Sequence, residues 1–452
     1  MNLLKVRMRM LLAIVVSALL MLQGFHFRPT SNLTAEDIWL HEHNDESHMP
    51  AWLSLAGDGV MRPVPKLNVT LHIAGVRIVQ WPGKPLGLQF LAMVEDNDGR
   101  LIDDGVQMSP SQMSADLSIS ASFNGVDVPC ELQTVHLVND LWCPIPDGVR
   151  FPSGGEIMPI VLHDRARDIA LPVPVQRVTG SRYHMTLCVA FISNARPVVL
   201  TEFIAYHSLL GVDHFVFYDR TGQSTLFLRR LAQEFNKRNV TVEVIWWPGA
   251  TVDIQHIYRA NNFYDQVVAL NHCLFRNSAR TRWMGHWDLD EFFYSHSPEH
   301  RNIPQWLDRT IGNGQSGIRV DRMEYQHEAY NPNRLVLTQF SVVCYASEPH
   351  LLRKLMFRPE AVRATTNHYW IPHPNFAWAM EPVPITEAAL LHFTNLYRSR
   401  TVSNLESSDC WSYRVPKSSW FVEPLVSTLL SISVFEKTTF HRCTDDIACI
   451  YN

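Results

Sequence analysis

Residues 186–219 read TLCVAFISNARPVVLTEFIAYHSLLGVDHFVFYD, and their rhythm decides the fold. TLCVAFI (186–192) is a short apolar run of strand formers. Pro197 then opens a segment whose apolar positions recur at helical spacing, and Gly211 suits that helix's end. HFVFY (214–218) reads as a second strand. The pattern continues downstream with an amphipathic helix at STLFLRRLAQEFNKR (224–238) and a strand at VTVEVIWW (240–247). A longer helical stretch at about 257–278 leads into a strand at RWMGHW (282–287). Strands alternating with helices predict an α/β unit built on a parallel, doubly wound sheet, with ligands at the carboxyl ends of its strands.

The fourth strand runs into GHWDLDEFFYSH (285–296), three acids in four positions set among Trp287, Phe292, Phe293 and Tyr294. Unpaired charge is costly to place in such surroundings. In an extended segment Asp288 and Asp290 share a face, and two carboxylates on one face repel unless something positive lies between them. A hard divalent cation, Mg²⁺ or Mn²⁺, meets that need and keeps open positions for phosphate oxygens. Glu291 is expected to support the pair or to cap the next element. The alternative for the same residues is an ordinary helix start, with Asp290 as N-cap.

Upstream, the chain sorts by composition. With 452 residues, 46% hydrophobic and 18% charged, it has material for two packed domains, and a formal charge of -5 without a Lys/Arg run argues against nucleic acid. Lys5, Arg7 and Arg9 precede the uncharged MLLAIVVSALLML (10–22). Residues 1–27 are read as a cytoplasmic tail and an uncleaved signal anchor, which leaves the body lumenal. Sequons at Asn32, Asn68 and Asn239 and an even set of eight cysteines agree with that compartment. Cys130 with Cys143 and Cys443 with Cys449 are the first pairs expected, and Cys188 and Cys273, in apolar segments, read as buried thiols. Residues 28–70 are polar and Pro-punctuated, a stem, in which HEHNDESH (41–48) reads as solvated linker rather than a metal site. Residues 71–178 hold short β-rich pieces between turn residues, a small antiparallel sandwich, and 183–452 form the α/β unit.

The ordered set of pieces resembles glycosyltransferase family 92, whose members carry a GT-A type nucleotide-sugar fold. The matching stretches are 188–219, DQVVALNHCLF (265–275), HWDLDEFF, RKLMFRPEAV (353–362) and LLHFTNLYR (390–398). The resemblance implies a Golgi or other secretory-pathway, single-pass type II enzyme that moves a sugar from a UDP-sugar, most often galactose, onto a glycan with inversion. It makes Asp288 and Asp290 the metal-binding D-x-D, and puts Asn194, Arg196, Glu202, Tyr218, Asp219 and Gln266 near the nucleotide. A C-terminal histidine as third metal ligand is expected at His368 first and His392 second, with Lys354 and Arg358 placed to contact phosphate. The sequence departs from the family after the first strand, at Asn194-Ala195-Arg196, and near the end, where His392-Phe393 precedes Tyr397-Arg398.

Inversion needs a carboxylate to take the acceptor's proton. GIRVDRMEY (317–325), read as one strand, offers Glu324 and then Asp321, with Glu328 behind them. Trp283, Trp287, Tyr294, Tyr369 and Trp370 supply aromatic faces for sugar rings or simply core. Two other classes stay open: a non-catalytic carbohydrate-binding protein with a degenerate transferase domain, and a metal-dependent hydrolase. The intact D-x-D argues against the first, and the lack of further His/Asp ligand clusters against the second.

Overall fold

The computed structural model describes residues 53–55, 62–63, 69–80, 84–96, 119–135, 138–151, 157–164, 169–177, 183–192, 195–247, 262–295, 297–325, 331, 334–340, 342–344, 353–366, 368–373, 376–377, 383–393, 396, 410–412 and 419–432. The proposed anchor at 10–22, most of the stem, Asn194, Glu328 and the Cys443/Cys449 pair lie outside them. Among the described residues no helix is long and apolar enough to cross a membrane.

The β-rich region consists of two five-stranded antiparallel sheets. One holds the strands Leu53–Leu55, Ile169–Arg177, Ile157–Asp164, Ile119–Phe123 and Val126–Pro129; the other holds Arg62–Pro63, Val69–Gln80, Leu86–Asp96, Val138–Pro144 and Glu131–Val135, each in spatial order. Alternate residues of the two sheets, Val76, Ile78, Leu88 and Phe90 against Phe123, Ile160 and Val175, share one buried core. Two strands arise before residue 71, inside the stretch assigned to a stem. At three and two residues they are too short for alternation to announce them. Cys130 is bonded to Cys143 across this domain.

The second unit is built on a six-stranded sheet in the order Thr241–Trp246, His214–Asp219, Tyr183–Ile192, Thr281–His286, Lys354–Phe357, Gly317–Val320. The first four strands are parallel; Lys354–Phe357 runs against them, and Gly317–Val320, antiparallel to that strand, runs with them. Burial on both faces explains the unbroken apolar reading of 214–219, in which every residue is buried. Met185, Leu187 and Val189 point to one face with Phe215 and Phe217, beneath the helices Pro197–Leu209, Thr225–Asn236 and Val422–Leu430. Cys188, Val216 and Tyr218 point to the other, beneath the helix Asn262–Asn277.

The helix Pro197–Leu209 has Pro at its start and is followed by Gly211 at φ +89, where the backbone turns left-handed and Gly211 N–H donates to Ser208 O at 3.0 Å. Cys188 and Cys273 are joined in a disulfide, so the pair read as thiols ties the central strand to the helix behind it. Apolar surroundings identify burial, not oxidation state.

A second five-stranded sheet in this unit runs Glu291–Ser295, Ala388–Phe393, Arg322–Tyr325, Val342–Cys344, Cys410–Ser412. GIRVDRMEY is therefore two strands in two sheets, and the chain crosses between them at Asp321.

Candidate functional site

Strand order 3-2-1-4 reverses direction between the first and fourth strands, and the D-x-D follows the fourth. Asp288 and Asp290 lie in a tight turn between the strands Thr281–His286 and Glu291–Ser295, not in an extended segment: Glu291 N–H donates to Asp288 O at 3.0 Å. The same-face alternation expected of them therefore does not apply. What holds the turn is Glu291, fully buried, whose carboxylate accepts from Asp288 N–H at 2.8 Å.

Cross-strand register then assembles the charges. Glu291 opposes His392, and His392 is paired in turn with Glu324, on three neighbouring strands of the second sheet. Arg322, two residues before Glu324, shares its face. Lys354 arrives from the first sheet, where the strand Lys354–Phe357 runs antiparallel to Thr281–His286.

The result is a chain of alternating charge from one aspartate to the other. Asp288 meets Lys354 at 2.7 Å, Lys354 meets Glu291 at 3.1 Å, and Glu291 meets Arg322 at 3.2 Å. Arg322 pairs with Glu324, Glu324 with His392 at 2.6 Å, and His392 with Asp290 at 3.4 Å. Gln266, from the helix Asn262–Asn277, donates to the other oxygen of Asp288 at 3.3 Å. The side chains of Asp288 and Asp290 are 33% and 16% exposed, whereas Lys354 is 1% exposed. Solvent reaches the chain mainly at Asp288; Asp290, at the other end, is only slightly more open than His392 beside it.

Burial opposes every charge here, and the partners decide the outcome. Burial would raise the Asp288 carboxyl, but the Lys354 ammonium holds it below the usual range. For Lys354 burial is outweighed by Asp288 and Glu291, which push it up. Burial wins at Glu291 and raises it despite Lys354. His392 is pushed up to about 10, burial notwithstanding, by Asp290 and Glu324, so it is an imidazolium at neutral pH. Four carboxylates thus face three cations.

The other expected site residues fall in different places. His392, the second choice for a metal-binding histidine, is the one on the D-x-D; the Nδ1 of His368 lies 3.3 Å from Arg353 O, and burial with Lys354 nearby lowers its pKa to about 4. Glu324 is almost fully buried with both oxygens engaged, so it orients His392 and is closed to an acceptor. Asp321 pairs with Arg353 at 2.6 Å beside Lys354. Arg358 is corrected: antiparallel register puts it at the far end of the strand from Asp288, where it donates to Ile311 O at 3.0 Å and Asn313 O at 3.3 Å.

Glu202 lies in the core with no exposed surface and accepts from Val336 N–H at 2.8 Å, capping a short helix far along the chain. Tyr218 is buried against His272, 2.7 Å away, and Asp219 folds its own loop by accepting from Gly222 N–H at 2.9 Å and Thr225 Oγ1 at 2.8 Å. Arg196 is the exposed N-cap residue of the first helix. Sequence reasoning misses Arg322, although its two-residue spacing from Glu324 is a usable signal.

Residues 183–425 match glycosyltransferase family 92, a span that contains the whole charge chain. A glycosyltransferase family 92 protein of Ricinus communis is 28% identical over 126 residues, 28% of this chain and 18% of that protein. Another, from Arabidopsis thaliana, is 23% identical over 197 residues, 42% of this chain and 31% of that protein. The chain thus spans less than a third of the length of these curated relatives. With more than half of its residues inside the matched span, this chain belongs to glycosyltransferase family 92.

Proposed function

We propose that the protein is an inverting glycosyltransferase of GT-A type that transfers a sugar, galactose from UDP-galactose in the first instance, to a glycan acceptor in a Golgi or related lumen. The observation that carries this reading is the pair of partly exposed aspartates in the turn after the fourth strand, held by a chain of counter-charges within the family's span.

A cation fits this place. Asp288 and Asp290 offer hard oxygens of the kind Mn²⁺ and Mg²⁺ take, whereas His392, protonated and 3.4 Å from Asp290, would have to give up its proton before it could join them. Among the described residues no three such donors converge on one point, so diphosphate oxygens and water would complete the shell. Held by Asp288 and Asp290, the metal would counter the negative charge that grows on the departing diphosphate. Lys354 keeps Asp288 ionised and, through its contacts with Asp288 and Glu291, fixes the turn that carries both aspartates. Glu324 holds His392 in one orientation. Asp321, paired with Arg353 next to Lys354 in the chain and more exposed than Glu324, takes the acceptor hydroxyl's proton on its carboxylate.

The test is an assay of the full chain with UDP-sugars, Mn²⁺ and an acceptor panel. Transfer that disappears in Asp290→Asn, and in Asp321→Asn with donor binding preserved, supports the reading. Full activity of folded Asp290→Asn refutes it; binding without transfer would make the protein a lectin, and phosphate release independent of acceptor a hydrolase.

A further inference from the structure

The two domains meet through buried charge. Arg77 and Asp140, on neighbouring regions of the sheet Val69–Gln80, Leu86–Asp96, Val138–Pro144, are each 2% exposed and are linked by Gln89, which accepts from Arg77 at 2.9 Å and donates to Asp140 at 2.5 Å. Neither is satisfied within its own domain alone. Arg77 donates across the seam to Arg363 O at 2.9 Å and Pro359 O at 3.5 Å, and its guanidinium sits 4.5 Å from the Phe275 ring centroid. Asp140 receives Arg363, whose Nη2 lies 3.2 Å from Oδ2. Burial pulls Arg77 down to about 9, as expected for a guanidinium taken out of water.

The apolar contacts agree. Leu91, from the β-rich domain, belongs to the buried cluster that covers the helix Asn262–Asn277, together with Val267, Leu274 and Trp370. Gly75 lets the backbone approach that helix: a Cβ there would lie 3.0 Å from Phe275 Cβ. A tethered binding module has no reason to share a core with its neighbour or to bury an ion pair against it.

What the seam grips is the hairpin Val362–Thr365, Trp370–Pro372. Asn271 clasps Thr365 on both sides, donating to its carbonyl at 2.7 Å and accepting from its N–H at 3.0 Å. Thr365 Oγ1 lies 3.2 Å from His286 Nδ1, two residues before Asp288, and His368 is at the hairpin's turn. We propose that the β-rich domain is a positioning element of the candidate active site, with Asp140 acting through Arg363 to set this hairpin against the strand that carries Asp288. The catalytic part of this inference rests on the transferase reading; the mechanical part does not.

Asp140→Asn in the full chain keeps the volume and removes the counter-charge. Hydrogen exchange is expected to quicken at least tenfold at Thr365, Thr366 and His373, whose N–H groups are bonded within or beside the hairpin, while 183–192 and 214–219 stay protected. The donor KM should rise severalfold with little change in kcat. Arg363→Gln, which deletes the same pair from the other side, must give the same pattern, and it replaces Asp140→Asn if that variant does not fold. Unchanged exchange over 362–373 overturns the proposal. So does acceleration spread evenly over 69–96 and 262–277, which would mean that the pair only seals the seam. If the wild type transfers no sugar from any donor, the transferase reading fails and the exchange result still decides the mechanical claim.

Discussion

Glu202→Gln should make the protein more stable, and increasingly so as pH rises. Glu202 is fully buried in the core of the α/β unit; one oxygen accepts from Val336 N–H at 2.8 Å and the other has no hydrogen-bond partner. Burial raises the carboxyl from 4.5 to about 8. The folded state therefore holds a proton that the unfolded chain gives up near 4.5. The contribution to stability is full below that pH and is lost as pH climbs toward 8, at about 1.4 kcal/mol per pH unit. Across the whole interval the loss is about 5 kcal/mol, roughly 10 °C in melting temperature for a domain of this size.

Glutamine keeps an oxygen for Val336 N–H and does not ionise. The two proteins should melt close together at about pH 5, and the variant should melt higher by about pH 8. Differential scanning calorimetry at closely spaced pH values reads the gap directly, because every other titrating group cancels in the difference. A gap that stays constant across that range, or a variant less stable at its alkaline end, would refute the reasoning.

On the acid side the sign reverses. Burial lowers His207 and His272 from 6.5 to about 3, so the stability they contribute is present above 6.5 and drains away as pH falls toward 3; His207→Gln and His272→Asn should each flatten that descent in acid unfolding curves. Replacing the Cys188–Cys273 pair by alanines opens a cross-link with a sequence separation of 85 and should cost about 4 kcal/mol in denaturant titrations, whereas a loss under about 1 kcal/mol would mean the tie is redundant with core packing.

The alternation of strands and helices from 183 to 286 is legible because it is local: each element carries its own period, and a parallel sheet follows from the order alone. Asp288, Gln266 and Lys354 can be named together through the family resemblance. The second sheet cannot be read. Its neighbours Glu291, Glu324 and His392 lie 33 or more positions apart, and nothing in their local sequence states which rung faces which. The same cause hides Arg322 and makes Glu324 look available. Glu202 misleads for a different reason, since a carboxylate on a helix beside a site motif reads as functional until its burial is known.

The crossing at Asp321 has a consequence for how the gene can vary. Val320 belongs to one sheet and Arg322 to the other, so side-chain alternation is set independently on either side of that residue. One extra residue inside Arg322–Tyr325 would turn Met323 toward the ions and bury Arg322 and Glu324 among Phe340 and Phe393, leaving the strand's ladder intact and the charge chain cut in two. Length changes in the exposed turn at 312–314, between the helix Ile303–Thr310 and the strand Gly317–Val320, displace no buried side chain, which makes that turn the natural place for insertions to accumulate.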